Sequence, residues 1–180
     1  MKALSASIAL ALLAATPALA GDAAKKARSE KFAPAKPESA QSSAAKADAV
    51  TITPKDIKWS DAPPDLPKGA QMSVLHGDPT KKQQFALRFK MPTGYKIPPH
   101  WHTNDEQLTI LSGTFLLRMG DSMDAPAHEL GPASFHYLPA KMHHAAEAKS
   151  ETIVQVDGMG PFDIHYVNPA DNPKNKQAAK

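Results

Sequence analysis

Between Gly94 and Gly113 the sequence GYKIPPHWHTNDEQLTILSG places two imidazoles and a carboxylate within seven residues. His100 and His102 are one residue apart, so on an extended segment both leave the same face while Trp101 leaves the other. Glu106 follows a Thr-Asn-Asp bend, at the start of the apolar-rich run Gln107 to Leu111, where a returning strand can bring its carboxylate to the same point. Two His and one carboxylate suit a divalent transition metal.

The full spacing is Gly94, five residues, His100-Trp101-His102, three residues, Glu106, six residues and Gly113. It resembles the first motif of the cupin superfamily at every interval. The segment Pro139-Ala140-Lys141-Met142-His143-His144 is similar to the second motif, which supplies a further His from a later strand, here His144. Ala133 and Lys141 stand where that motif usually has glycines, and Ala148 where an Asn is often found. The resemblance runs over about residues 70 to 167. It implies an all-β fold, a double-stranded β-helix or jelly-roll barrel with an open mouth. It also implies one divalent ion (Fe, Mn, Zn, Ni or Cu) held by His100, His102, Glu106 and His144, with positions left for a small-molecule ligand or substrate. A homodimer through sheet faces or edges is a further implication. The stretch from Trp59 through Leu75 to the His-x-His strand is also similar to the cupin domain of zinc-dependent anti-sigma factors, whose partners are cytoplasmic.

The N-terminus points elsewhere. Lys2, an apolar stretch from about Leu4 to Leu13, Pro17 and then Ala18-Leu19-Ala20 predict a secretory signal peptide over residues 1–20, cleaved near Ala20, and so a periplasmic or secreted protein. Ser5, Ser7, Thr16 and Pro17 leave that stretch short of a membrane span. Residues 21–50 are rich in Ala, Lys, Ser and Pro and bury too little apolar surface to order themselves, as expected of a flexible linker. The net charge of +3 resides in this segment and Lys2. From Thr51 onward fourteen Lys and Arg balance fourteen Asp and Glu, which gives no basic face for nucleic acid. The absence of Cys excludes disulfides and thiolate ligation.

Residues 51–169 make one domain. Trp59 is the apolar anchor of the Pro-rich segment Ile57 to Leu66. Strands are predicted over Gln71–His76, Gln83–Met91, Gln107–Leu111, Thr114–Met119, Ser134–Leu138, His144–Ala148, Thr152–Val156 and Asp163–Val167. Ser112-Gly113 carries the signal of a two-residue hairpin. Residues 170–180 form a polar tail. His143 is expected on the face opposite His144, and Asp105 as a cap of the bend before Glu106. His136 shares a face with Ser134 and Leu138, and the alternation does not say which face looks inward, so it reads as a plain strand residue or, alternatively, as an acid/base neighbour of the site. His76, His128 and His165 have no spacing partner and read as ordinary surface or core residues. Tyr137 and Tyr166 read as core, with orientation of an oxyanion or bound oxygen as the alternative. Gly158-Met159-Gly160-Pro161-Phe162 reads as a turn, either a plain connection or a lid over the barrel mouth.

Two functional readings follow. The first is an exported mononuclear metal enzyme acting on a small oxygen-bearing substrate; the ligand set is also that of non-haem iron oxygenases, so a dioxygenase-like reaction is chemically reasonable. The second is a non-catalytic periplasmic metal- or ligand-binding cupin. A metal-free barrel holding a sugar or small acid is a third. The sequence names no nucleophile and no dedicated general base.

Overall fold

Alternation of apolar side chains decides which faces of the strands turn inward. In the computed structural model, which describes residues 49–178, Phe85, Leu87 and Met91 of β3 (Gln84–Met91) are buried and Gln84 is exposed. The same two-residue period buries Leu108 and Ile110 of β5 (Glu106–Ser112), Phe115 and Leu117 of β6 (Phe115–Met119), and Val154 and Val156 of β10 (Thr152–Met159).

The remaining strands are β1 (Ser60–Asp61), β2 (Gln71–His76), β4 (Lys96–Trp101), β7 (Ala127–Leu130), β8 (Phe135–Leu138), β9 (His144–Ala148) and β11 (His165–Tyr166). They form two antiparallel sheets: six strands in the order β1-β2-β3-β10-β5-β8 and five in the order β11-β4-β9-β6-β7. The inner faces meet in one apolar core, with Leu87, Leu108, Val154 and Val156 from the first sheet against Phe115, Leu117 and Ala146 from the second. This is the jelly-roll architecture.

The hairpin expected at Ser112-Gly113 does not form. β5 pairs with β10 and β8, whereas β6 pairs with β9 and β7. A hairpin would set the apolar faces of β5 and β6 side by side in one sheet; here they oppose each other across the core, and the chain turns a corner between sheets. Gly113 makes the corner at φ 80°, where an added Cβ would lie 2.1 Å from the Glu151 carbonyl oxygen. Strand β7 was not expected, because Ala127–Leu130 is a mostly exposed edge strand with no apolar alternation.

Trp59 is partly buried, with Lys90 Nζ 5.4 Å from its ring centroid. After Val167 the chain forms a single turn and a short helix, α1 (Pro173–Ala178), and Lys174 Nζ reaches Asp65 Oδ2 at 3.2 Å. The predicted signal peptide and nearly all of the predicted linker lie outside the described residues. Among the described residues no helix is long and apolar enough to cross a membrane.

Candidate metal centre

The two sheets approach each other at one end of the core, and both contribute to the site. β4 ends with His100 paired across the ladder with His144, the first residue of β9. His102 lies just past β4. Glu106 opens β5 in the opposite sheet, between Gly158 of β10 and Leu138 of β8. All four side chains are buried, at 2 to 6% exposure. One ring nitrogen from each of His100, His102 and His144 lies within 4.8 Å of the others. Glu106 Oε2 stands 3.5 Å from His102 Nε2 and 3.6 Å from His144 Nε2.

Backbone carbonyls fix the tautomers. Nδ1 of His100 faces the Pro98 carbonyl at 2.7 Å, Nδ1 of His102 faces the Asp163 carbonyl at 2.5 Å, and Nδ1 of His144 faces the Met142 carbonyl at 2.9 Å. A carbonyl only accepts, so each Nδ1 carries the proton and each Nε2 keeps its lone pair. Three imidazoles held by outer hydrogen bonds with Nε2 free is the arrangement of metal-ligating histidines. His102 Nε2 is buried with no hydrogen-bond partner, a cost that a cation would remove. Two atoms each about 2.1 Å from one ion can be no more than about 4.2 Å apart, and both Glu106 to imidazole separations fall inside that span. The donor types and the two Glu106 separations suit a divalent transition metal, and the three imidazole nitrogens, within 4.8 Å of one another, would close by a few tenths of an ångström to share it.

The electrostatics agree with neutral imidazoles. Burial, then the neighbouring rings of His144 and His102, holds His100 well below its ordinary 6.5. Burial also lowers His102, against the opposing bond to Asp163, and lowers His144, against the opposing charge of Glu106. Burial pushes Glu106 up to about 7, with His144 pulling the other way.

Two neighbours of the site are not apparent from spacing. Asp163 supplies the carbonyl that orients His102. Its carboxylate accepts from Thr103 N at 2.8 Å, from Thr103 Oγ1 at 2.6 Å and from His165 Nε2 at 3.0 Å. Burial raises this carboxyl, and the bonds from Thr103 and His165 outweigh that and hold it below its ordinary range. Phe162 stacks on the His102 ring with centroids 4.8 Å apart, and its ring lies 5.3 Å from that of Phe85. The Gly158–Phe162 segment therefore adds a wall to the site. The sequence offered this segment as a plain connection or a lid, but not its contact with His102.

Other candidates lie elsewhere. His143 is half-exposed and bound to Asp121. His136 faces inward, as its pairing with Leu108 requires, but at the sheet edge beside His128, with ring centroids 6.3 Å apart. His165 is no isolated surface residue, since it stacks on Trp101 at 4.0 Å. Asp105 caps a different turn from the one expected, accepting from Ala140 N and from Tyr137 Oη, both at 2.7 Å. Tyr137 is exposed rather than core, because it pairs with exposed Gln107 on the outer face of the sheet. Tyr166 is buried, and its hydroxyl donates to the Asp65 carbonyl at 2.7 Å.

A cavity of about 260 Å³ runs from the four polar side chains into the space between the sheets. Apart from the site itself its walls are mostly aliphatic and aromatic, and Phe162, Pro63 and Leu66 are among its lining residues.

Residues 47–163 match the family described as the ChrR cupin-like domain. A search of curated proteins returns no match. Among solved structures, the polyketide cyclase RemF from Streptomyces resistomycificus aligns with 16% identity over 73% of this chain and 94% of its own, with a TM-score of 0.60. A protein from Methylibium petroleiphilum, named provisionally as an acetylacetone dioxygenase, aligns with 17% identity over 76% and 96%, with a TM-score of 0.56. The DMSP lyase DddQ from Ruegeria pomeroyi aligns with 19% identity over 69% and 74%, with a TM-score of 0.51. At these identities the likeness is one of fold. The family match covers well over half of the sequence and includes His100, His102, Glu106 and His144, so the chain belongs to the ChrR cupin-like family of the cupin superfamily.

Proposed function

We propose that this protein is a mononuclear metal enzyme that holds one divalent transition metal through His100, His102, His144 and Glu106 and acts on a small oxygen-bearing molecule. The observation that carries this reading is the buried His102 Nε2 without a partner, in a set of three imidazoles whose Nδ1 atoms are all tied to carbonyls. When bound, the metal supplies Lewis acidity and, if it is iron or manganese, redox chemistry with dioxygen. The carbonyls of Pro98, Asp163 and Met142 hold the imidazoles in one tautomer. Phe162 and the apolar walls exclude water. That proteins of the same fold are named as a cyclase, a dioxygenase and a lyase accords with a reaction on a small molecule.

A second reading, a non-catalytic metal- or ligand-binding protein, is favoured by one feature. The polar side chains that reach the cavity outside the four are already hydrogen-bonded or ion-paired. We further propose that residues 1–20 direct export, that residues 21–50 act as a linker, and that residues 51–169 are the working domain.

The test is metal content by plasma mass spectrometry on protein purified without an affinity tag or chelator, followed by oxygen-uptake assays. About one equivalent of metal with turnover supports the enzyme. One equivalent with tight ligand binding and no product supports the second reading. No metal, and none taken up on addition, removes the metal-enzyme reading and leaves the four residues as the lining of a polar pocket.

A further inference from the structure

The cavity is polar at one end only, and that asymmetry names a class of ligand. Partly buried Leu66, Met72, Phe89, Ile97 and Phe162 line the space of about 260 Å³. At about 30 Å³ for a liquid water, this is room for a molecule of about nine non-hydrogen atoms. Beyond the four side chains, the polar groups at the lining have partners within the protein. Thr80 Oγ1 donates to Asp78 Oδ1 at 2.7 Å, Asp65 Oδ2 accepts from Lys174 Nζ at 3.2 Å, and Asp163 Oδ2 accepts from Thr103 Oγ1 at 2.6 Å. Among the described lining residues there is no Lys or Arg. A sugar, a polyol or a dicarboxylate would therefore bury hydroxyls or charge against hydrocarbon with nothing to pair them.

We propose that the ligand of this site is a small, mainly apolar molecule with a single oxygen-bearing head group, which meets the four polar side chains while its hydrocarbon body lies between the sheets. The inference rests on the metal-site reading above and narrows it. Sugar acids are excluded, and the discrimination comes from Leu66, Met72, Phe89, Ile97 and Phe162 rather than from any charged residue.

The experiment uses the full chain loaded with one equivalent of Co(II), its metal content verified, and titrated with straight-chain hydroxamates from acetohydroxamate to octanohydroxamate. Visible absorption of the cobalt reports that the head group has reached the site, and calorimetry gives the affinity. Each methylene added is expected to tighten binding about fourfold, the equivalent of about 0.8 kcal/mol, until the chain outgrows the cavity and the gain stops. A terminal hydroxyl on hexanohydroxamate is expected to weaken it about tenfold or more. Gluconate is expected to bind far more weakly than hexanohydroxamate. Affinity that ignores chain length, or gluconate binding as tightly as hexanohydroxamate, overturns the inference while leaving the metal site standing. A chain that takes up no cobalt overturns the metal-site reading and the inference together.

Discussion

The two segments that converge on the site reach it by different backbone means. On the first, Gly94 and Gly113 take φ of 78° and 80°, a region glycine enters at little cost. On the second, Ala133 and Lys141 take φ of 67° and 63°, where a Cβ costs about 1 to 2 kcal/mol. The strained turn is braced from the first segment. Lys141 N donates to the His102 carbonyl at 2.8 Å and Ala140 N to Asp105 Oδ1 at 2.7 Å. Ala133 N likewise donates to the Ile110 carbonyl at 2.9 Å. Thus glycine supplies the positive φ of the first segment, whereas Ala133 and Lys141 take it in the second; both segments are also tied from outside, the first by Gly94 N to the Ala148 carbonyl at 2.7 Å and Thr103 N to Asp163 Oδ1 at 2.8 Å.

Removing one imidazole from each segment is expected to have the largest effect. His102→Ala combined with His144→Ala should abolish stoichiometric metal, read by plasma mass spectrometry; unchanged metal content would discard the ligand set.

Next come the first segment's glycines, which differ in surroundings. A Cβ at Gly113 would meet Glu151 O at 2.1 Å and Thr152 Oγ1 at 2.6 Å, whereas one at Gly94 meets nothing within 4 Å. Gly113→Ala is expected to cost about 3 kcal/mol or more, and Gly94→Ala only the conformational 1 kcal/mol or so, by urea unfolding. Equal costs would show that the corner relaxes.

Acidification comes third. In the metal-free protein His100, His102 and His144 are all held below 6.5, so their contribution is present above about 6.5 and is lost as pH falls and the unfolded chain takes up protons. Glu106, raised from 4.5 to about 7, acts in the opposite sense: its contribution is present below about 4.5 and is lost as pH rises through 7. Three groups against one leave a net loss between about pH 6.5 and 5, at up to about 1.4 kcal/mol per pH unit for each net proton. Urea unfolding at the two pH values measures it, and constant stability would mean that the imidazoles are already charged in the fold.

The smallest effect sharpens the contrast between the segments. Lys141→Gly and Ala133→Gly should each stabilise by about 1 kcal/mol, read as a raised melting temperature. No gain would mean that the bracing bonds have removed the strain.

Much of the fold is legible locally. Phe85-Ala86-Leu87 alternation marks an inner face without reference to any other strand, and Gln71–His76 and His144–Ala148 have the predicted bounds. The spacing of His100 and His102 by itself places two imidazoles on one side of a strand, and their ring centroids are 5.0 Å apart. Pairing partners are not legible this way. Ser112-Gly113 satisfies the composition of a hairpin equally well when it is a corner between sheets, because glycine supplies the positive φ that either requires.

What the sequence determined alone, then, is whatever depends on a residue's immediate neighbours: the strand periods, the bends and the His-x-His presentation. Tertiary structure alone decided which strands lie in the same sheet, and that the Asp163 carbonyl and the Phe162 ring close on His102 from some sixty residues away. It also decided that Ala133 and Lys141 enter the left-handed region against their own preference. The physical reason is that hydrogen-bond ladders and core packing are contacts between distant segments, so their energy is invisible to any window of sequence short enough to read by pattern.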